Sequence, residues 1–162
     1  MKIRKLRFKD AALMLEWMHD DSVIRDMKTD FASKTLEDCL SFIKQSHDDS
    51  NNLHLAIVDD TNTYMGSVSL KHISCFSAEL GIVVRKCAMG KGFSEFGIKN
   101  IIEKGFKQLR LKRIFWCVSP QNQRALKFYD NNKYQRSSIP KEAKDYYTVE
   151  ELQHYIWYEV VS

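Results

Sequence analysis

The stretch of sequence that decides the fold is Ile82-Val83-Val84-Arg85-Lys86-Cys87-Ala88-Met89-Gly90-Lys91-Gly92-Phe93. Its first three residues end a predicted apolar strand, and its last residue opens a long predicted helix. The first turn of a helix leaves N–H groups without intrahelical partners and carries partial positive charge. The two glycines allow a positive φ and a close approach of the backbone to a ligand. With three basic residues nearby, this pattern predicts a pyrophosphate site, and a tight surface turn is the alternative interpretation.

Two other phosphate-binding loops do not match this stretch. The dinucleotide pattern G-x-G-x-x-G requires a third glycine at position 95, where the chain has Glu95. The Walker A loop requires Ser or Thr after its lysine, but Lys91 is followed by Gly92. Both nucleotide-binding classes are therefore excluded on residue identity.

Strands are predicted on the N-terminal side of the loop. Apolar runs at residues 53–58, 64–70 and 78–84 read as neighbouring strands, with a turn at residues 59–62. The third run is almost wholly apolar, so we expect both of its faces to be buried. Ile3, Leu6 and Phe8 indicate a short opening strand.

Helical periodicity accounts for most of the remaining chain. Asp10 and Asn122 are predicted N-caps, and residues 35–38 resemble a capping box. Apolar side chains at helical spacing predict the buried faces of three helices. These side chains are Leu13, Met14, Trp17 and Met18; Leu36, Leu40 and Ile43; and Ile98, Ile102, Phe106 and Leu109.

The predicted order of elements is β-α-α-β-β-β-α-β-α-β-β. Its later strands lie at residues 113–118, 134–136 and 154–161, and its last helix runs from Asn122 to about Asp130. This order predicts an α/β (α+β) fold with a mixed sheet. No repeat or flexible linker interrupts the chain, so we expect one domain over residues 1–162.

Composition excludes several classes of protein. The chain has 25 Lys and Arg against 21 Asp and Glu, so the excess of positive charge is small and no basic stripe indicates nucleic acid. The four cysteines match no metal or disulfide spacing, and we expect reduced thiols and no metal. No signal peptide or membrane-spanning run is present. These features predict a cytoplasmic protein without membrane or nucleic-acid partners, while a homodimer stays open.

Three motifs resemble the GNAT superfamily of acetyltransferases. Gly90-Lys91-Gly92-Phe93 is similar to the family's glycine loop, and the strand Ala78-Glu79-Leu80-Gly81-Ile82 is similar to the strand before it. Asn122, Ala125 and Tyr129 match the pattern Asn-x-x-Ala-x-x-x-Tyr about thirty residues on. The opening of the chain also resembles the branch with ribosomal-protein, spermidine and amino-sugar acetyltransferases. The combination of order and spacing is more specific than any single motif.

The resemblance implies a mostly antiparallel mixed sheet flanked by helices on both faces, with a splayed central pair of strands. It also implies acetyl-CoA as co-substrate and a small-molecule or peptide amine as acceptor. The strand end would bind the pantetheine arm, the loop amides would bind the pyrophosphate, and an N–H of the strand would face the thioester oxygen. The implied cofactor-binding residues are Ile82, Val83, Val84, Lys86, Cys87, Met89, Gly90, Lys91, Gly92, Phe93, Asn122 and Ala125.

The resemblance also implies catalytic roles for Tyr129 and Glu79. A phenol stays protonated near neutral pH, so Tyr129 would protonate the departing CoA thiolate. Glu79 would direct deprotonation of the acceptor amine through water, or would be a structural carboxylate of the strand. His72 is a second candidate for the amine proton.

Three residues depart from the family pattern. Cys87 and Met89 stand where cationic or amide side chains are common, so phosphate binding would depend more on backbone amides. Lys133 replaces the usual glycine after the tyrosine helix, and Asn132 is expected to take the left-handed conformation instead.

The acceptor is left open by the sequence. Specificity is expected from the loop after the first helix, residues 71–77 and residues 137–148. Acidic residues after the first helix either attract a cationic amine or are solvated loop residues. A small metabolite such as an amino sugar or polyamine is favoured over a protein N-terminus. A non-catalytic acyl-CoA-binding domain is the alternative class, and a nucleic-acid-binding module is a second.

Overall fold

A seven-stranded sheet forms the centre of the computed structural model, which describes residues 1–162. The strand order is β1-β2-β3-β4-β5-β7-β6, and every neighbouring pair is antiparallel except β4 and β5. The strands are β1 (Lys2–Lys5), β2 (Leu53–Val58), β3 (Tyr64–Lys71), β4 (Ser77–Val84), β5 (Arg113–Val118), β6 (Gln135–Arg136) and β7 (Ile156–Val161). The mixed, mostly antiparallel sheet predicted from the resemblance is thereby confirmed.

Six helices accompany the sheet. They are α1 (Ala11–Met18), α2 (Asp21–Ile24), α3 (Leu36–Ser46), α4 (Phe93–Lys107), α5 (Gln123–Asn131) and α6 (Val149–His154). The sequence analysis missed α2 and α6 because helices of one or two turns are too short to show a periodic apolar face. None of the helices is long and apolar enough to cross a membrane.

Two apolar clusters cover the two faces of the sheet. One cluster joins α4 and α5 to β2–β5 and contains Ile98, Ile101, Trp116 and Tyr129. The other joins α1 and α3 to the opposite side of β2 and β3. Alternating side chains of a strand point to opposite faces, so each helical layer packs on its own set of strand residues.

The parallel pair of β4 and β5 is short. Only Ser77, Ala78 and Glu79 pair with β5, and their partners are Arg113, Ile114 and Phe115. Beyond these pairs, β4 continues to Val84 and β5 continues to Val118, but the two strands no longer pair with each other. The two strands therefore diverge and leave a cleft at the carboxyl end of β4, as the resemblance predicted.

The buried faces of two helices differ from the prediction. In α3, Cys39 and Ile43 are buried, whereas Leu36 is 46% exposed because it lies in the first turn. In α4, Ile98 and Ile101 are buried, and Leu109 lies beyond the last helical residue. Sequence spacing predicted both helices, but the residues at the centre of each buried face differ from the predicted ones.

Two local predictions were wrong. Asp10 does not cap α1 with its side chain; its carboxylate accepts hydrogen bonds from the Arg7 amide and from Arg4 instead. Lys133, with φ of 61°, takes the left-handed conformation that the sequence analysis assigned to Asn132. The Lys133 amide bonds the Asp130 carbonyl, so the turn forms without glycine.

Gly66 provides a test of how closely β3 and β4 pack. A Cβ at Gly66 would overlap the Val83 carbonyl oxygen and lie 2.9 Å from Val84 Cα, and backbone atoms cannot rotate away. We predict that Gly66→Ala lowers the free energy of unfolding by about 1–3 kcal/mol, as measured by denaturant titration. Gly81→Ala is the matched control in β4, since its Cβ would meet only the flexible Lys71 side chain at 3.3 Å. Equal stability of the two variants would contradict the close packing.

Candidate active site

The glycine loop joins the end of β4 to the start of α4. After Val84 the chain makes one 3₁₀ turn over Lys86–Ala88, and α4 begins at Phe93. Gly90 has φ of 72° and Gly92 has φ of 83°, so both occupy the left-handed region that glycine adopts at little cost. These glycines turn the chain so that the first turn of α4 faces the cleft beside β4.

The backbone of this loop presents a group of N–H donors without protein acceptors. Phe96 makes the first hydrogen bond of α4, to the carbonyl of Gly92, so the amides of Phe93, Ser94 and Glu95 in the first turn are free. The Met89 and Lys91 amides are already bonded, to Lys86 O and Ala88 O. The free amides belong to Lys86, Cys87, Gly90, Gly92, Phe93, Ser94 and Glu95. Converging free N–H groups at a helix start are the usual protein partner of a phosphate.

The basic side chains around the loop do not all face a ligand. Arg85 is held by a bidentate ion pair with Glu16, at 2.9 and 3.0 Å, and by the Tyr64 carbonyl. Lys86 and Lys91 are exposed and make no ion pair. Arg124 reaches the loop from α5, and its Nη1 lies 2.9 Å from Met89 Sδ. The free positive charge therefore comes from two lysines of the loop and one arginine of a different helix.

Backbone groups of β4 also face the cleft. The Arg85 amide bonds the Met65 carbonyl of the strand before, and partners in an antiparallel pair alternate between bonded and non-bonded positions. The N–H groups of Ile82 and Val84 consequently point away from β3 and into the space that β5 has left. Val83 has the opposite orientation, and its backbone groups face β3.

The N-terminus of α5 borders the same cleft. The Asn122 side chain accepts a hydrogen bond from the Ala125 amide at 3.1 Å, which confirms the predicted cap. This bond uses the side-chain oxygen and leaves the amide nitrogen of Asn122 without a protein partner. Seven residues after the cap, Tyr129 lies on the buried face of α5.

Tyr129 is held by aromatic contacts and has an unpaired hydroxyl. Its ring lies 5.2 Å from Trp116 and 5.2 Å from Tyr158, centroid to centroid. The hydroxyl has no hydrogen-bond partner in the protein, but it is not fully enclosed. Burial raises the pKa of Tyr129 above its usual value, and the neighbouring Tyr134 adds to this effect. The phenol therefore stays protonated and has no protein acceptor for its proton.

Glu79 lies on the other face of the sheet, at the point where β4 and β5 part. Its side chain is 4% exposed and is surrounded by donors. Oε1 accepts a hydrogen bond from the Tyr147 hydroxyl at 2.6 Å and pairs with Lys71 Nζ at 3.1 Å. Oε2 lies 3.7 Å from His72 Nε2. Glu79 is therefore a buried carboxylate whose charge is already compensated.

His72 and Cys117 complete this cluster. The His72 ring stacks on Tyr146 at 3.6 Å between centroids, and burial lowers its pKa although Glu79 acts in the opposite direction. Cys117 Sγ lies 3.6 Å from the Tyr147 hydroxyl oxygen. Burial raises the pKa of the Cys117 thiol to about 11, so the sulfur stays protonated near neutral pH.

The acidic residues after α1 have mainly local roles. Asp20 caps α2 through the Ser22 amide, Asp30 accepts a hydrogen bond from the Ser33 amide, and Asp26 lies 3.7 Å from the guanidinium of Arg25. This arrangement favours the interpretation of these residues as loop acids.

Arg124, Lys71 and the contact of Tyr147 with Glu79 were missed by the sequence analysis. Arg124 lies within the Asn-x-x-Ala pattern, where its place in the first turn of α5 was a usable signal. Lys71 lies opposite Glu79 in the antiparallel register of β3 and β4, which sequence spacing did not define. Tyr147 follows a short 3₁₀ helix, Lys141–Asp145, and no periodicity placed it near β4.

Comparisons with known proteins agree with this geometry. Residues 1–135 match the family model described as "Acetyltransferase (GNAT) domain". The acetyltransferase PseH of Campylobacter jejuni is 26% identical over 145 residues, which cover 90% of this chain and 87% of that protein. The uncharacterized N-acetyltransferase p20 of Bacillus licheniformis is 26% identical over 144 residues, which cover 86% of this chain and 81% of that protein.

Solved structures share the fold. The spermidine N-acetyltransferase of Vibrio cholerae in complex with CoA and spermine superposes with a TM-score of 0.81 at 17% identity, over 99% of this chain and 94% of that chain. Campylobacter jejuni PseH in complex with acetyl coenzyme A gives a TM-score of 0.69 at 20% identity, over 99% of this chain and 98% of that chain.

The chain belongs to the GNAT family of acetyltransferases. It is an N-acetyltransferase, and acetyl-CoA is its acyl donor. The free loop amides, the unpaired lysines and the cleft beside β4 fit the diphosphate and the pantetheine arm of that donor.

Proposed function

We propose that this protein transfers the acetyl group of acetyl-CoA to the primary amine of a small metabolite, by direct attack of the amine. The observation that carries this proposal is the divergence of β4 and β5 after Glu79 and Phe115. It opens a cleft that has Tyr129 on one face of the sheet and Glu79 on the other. An acyl donor and an amine can then meet from opposite faces.

The donor would be held chiefly by backbone groups. The free amides of the glycine loop would bind the diphosphate, and the amides of Ile82 and Val84 would face the pantetheine arm and the thioester oxygen. Asn122 would contribute its free amide nitrogen, and Ala125 a small surface beside it. Cys87 and Met89 contribute no charge of their own, so Lys86, Lys91 and Arg124 would neutralise the phosphates.

Tyr129 is proposed as the general acid. Acetyl-CoA supplies an acyl group on a thiol, and this thiol needs a proton as it departs. The hydroxyl of Tyr129 is protonated at neutral pH and has no competing protein partner, and the ring packs on Trp116, one residue past the last residue of β5 that pairs with β4. Its proton would pass from the phenol oxygen to the sulfur.

Cys117, the only cysteine in the cleft wall, is protonated, and this argues against a covalent acyl-enzyme intermediate. A thiolate is the reactive form of cysteine, and the pKa of Cys117 is about 11. Cys117 is also half-enclosed between Tyr147 and the sheet. This supports direct attack by the amine.

An amino sugar is favoured over a polyamine on electrostatic grounds. Glu79 is the only buried carboxylate at this end of the sheet, and Lys71 already pairs with it. Lys28 lies over the Tyr147 ring at 4.4 Å and is itself paired with Glu151 at 3.0 Å, so neither carboxylate is free. A polycation would find no uncompensated carboxylate here for its further positive charges, whereas a single amine on an uncharged or anionic body has no further positive charge to place.

A screen of amines tests the proposed reaction. Thiol release from acetyl-CoA is followed with spermidine, glucosamine, a UDP-linked amino sugar and a ribosomal peptide. We expect an amino sugar to be acetylated fastest, and Tyr129→Phe to lower kcat by about 100-fold, a typical contribution of a general acid. Binding of CoA should be unchanged in Tyr129→Phe. CoA binding without turnover of any amine by the wild-type protein would contradict the proposal and indicate an acyl-CoA-binding domain.

Arg124 provides a separate test of the donor site. Arg124→Gln removes a full charge beside the glycine loop without touching the cleft between the strands. We predict that the KM for acetyl-CoA rises by about 10-fold, because a charge-assisted hydrogen bond contributes about 1.5–3 kcal/mol, while kcat at saturation is retained. Lys127→Gln is the matched control, since Lys127 is an exposed cation one turn further along α5 without an ion pair. An equal rise of KM in both variants would contradict a specific role for Arg124.

A further inference from the structure

The Tyr147 hydroxyl lies at the point where β4 and β5 part. It donates to Glu79 Oε1 at 2.6 Å, and Glu79 is the last residue of β4 that pairs with β5. The same hydroxyl oxygen lies 3.6 Å from the thiol of Cys117, which lies two residues past the last paired residue of β5. The hydroxyl thus contacts both strands at the point where they part.

Tyr147 and Tyr129 lie on opposite faces of β5. Trp116 belongs to the apolar cluster that contains Tyr129. Phe115 belongs to the cluster against which Cys117 and Tyr147 pack. Because neighbouring residues of a strand point to opposite faces, the two tyrosines approach the cleft from opposite sides. One hydroxyl is on the side of α4 and α5, and the other is on the opposite side, from which the proposed acceptor would enter.

Glu79 is closed to direct contact with an acceptor. Its side chain is 4% exposed, Lys71 and Tyr147 occupy Oε1, and His72 faces Oε2. An amine that enters the cleft therefore meets the hydroxyl of Tyr147 before it meets the carboxylate. The ring of Tyr147 is fixed edge-on against Trp157 at 5.3 Å and beneath Lys28 at 4.4 Å, so its hydroxyl has a defined position.

We infer that Tyr147 relays the proton of the acceptor ammonium to Glu79, an inference that rests on the proposed acetyl transfer to an amine. In this step an N–H bond of the ammonium breaks and its proton moves to the Tyr147 oxygen. The proton of the Tyr147 hydroxyl moves at the same time to Glu79 Oε1. The amine is left neutral with a free electron pair, Tyr147 is unchanged, and Glu79 is protonated. Burial raises the pKa of Tyr147, so a free tyrosinate does not form and the two protons move together.

The rival role for Tyr147 is that of a plug that covers Glu79 and must leave before the acceptor binds. The two roles predict opposite effects of Tyr147→Phe. Phenylalanine keeps the ring and its packing but cannot pass a proton, so a relay loses rate. A plug that has lost its hydrogen bond to Glu79 leaves more easily, so kcat stays the same or rises and the KM for the acceptor falls.

The experiment is steady-state kinetics with spermidine, glucosamine, a UDP-linked amino sugar and a ribosomal peptide as acceptors. The relay predicts that Tyr147→Phe lowers kcat by about 100-fold, within the range of general acid–base catalysis, with an unchanged KM for acetyl-CoA. The matched control is Tyr155→Phe, which alters a ring that packs edge-on at 6.0 Å from Tyr147 and whose hydroxyl has no bond to Glu79. Its kcat should stay within about 2-fold of wild type. Circular dichroism melting keeps a loss of fold separate from a loss of catalysis.

The double variant Tyr147→Phe/Glu79→Gln gives a second readout. Because both groups lie on one proton path, the double variant should be no slower than the slower single variant. Multiplied losses in the double variant would overturn the relay, as would an unchanged or higher kcat in folded Tyr147→Phe. If the wild-type protein acetylates none of the four amines, the proposed function fails and the relay fails with it. Activity of wild type with full activity of Tyr147→Phe overturns the relay alone.

Discussion

The arrangement of this protein depends on the shortness of one hydrogen-bonded ladder. The parallel strands β4 and β5 pair over three residues and then separate, so the centre of the sheet has an opening lined by backbone groups. In a continuous sheet the outward N–H groups of Ile82 and Val84 would be satisfied by a neighbouring strand. Here they are available, because burial of unpaired backbone groups is costly only where neither a ligand nor water can reach them. The loop, α4 and α5 are arranged around this opening.

Side chains alternate along β5, so the two sides of the opening are lined by different sets of residues. Residues of even number face the helices α4 and α5, on the side of the glycine loop, the Asn122 cap and Tyr129. Phe115 and Cys117 face the opposite side, with Tyr147 and Glu79. The proposed donor and acceptor would thus reach one point of the sheet through surfaces that share no side chain. Burial raises the pKa of both tyrosines, which keeps each phenol able to donate a proton.

The parts of the structure that were predictable are those in which local sequence determines local geometry. Gly90 and Gly92 have the positive φ expected of them, Asn122 and Thr35 cap their helices, and β5 has the predicted bounds. The divergence of β4 from β5 could be predicted only from the family resemblance, because no residue type marks the end of a β-ladder. Lys133 adopts the left-handed conformation although lysine rarely does so, because the surrounding turn fixes the backbone there.

The least predictable features join elements that are distant in sequence. Arg124 lies 35 residues from Met89, and Tyr147 lies 68 residues from Glu79. Such contacts follow from tertiary packing, and the spacing of residues carries no information about them. For the same reason the sequence identified Glu79 as a candidate base but did not show that Lys71 and Tyr147 cover it.

In the proposed complex, acetyl-CoA lies against the backbone of the glycine loop and along β4 where it diverges from β5. Amide chemical shifts in a ¹⁵N-labelled sample, titrated with CoA, test this most directly. We expect the largest shifts at the amides of Gly90, Gly92 and Phe93, followed by Ile82 and Val84, with little change at Val83, whose amide faces β3. Large shifts confined to side-chain signals, or to amides outside the loop and β4, would contradict this placement of the cofactor.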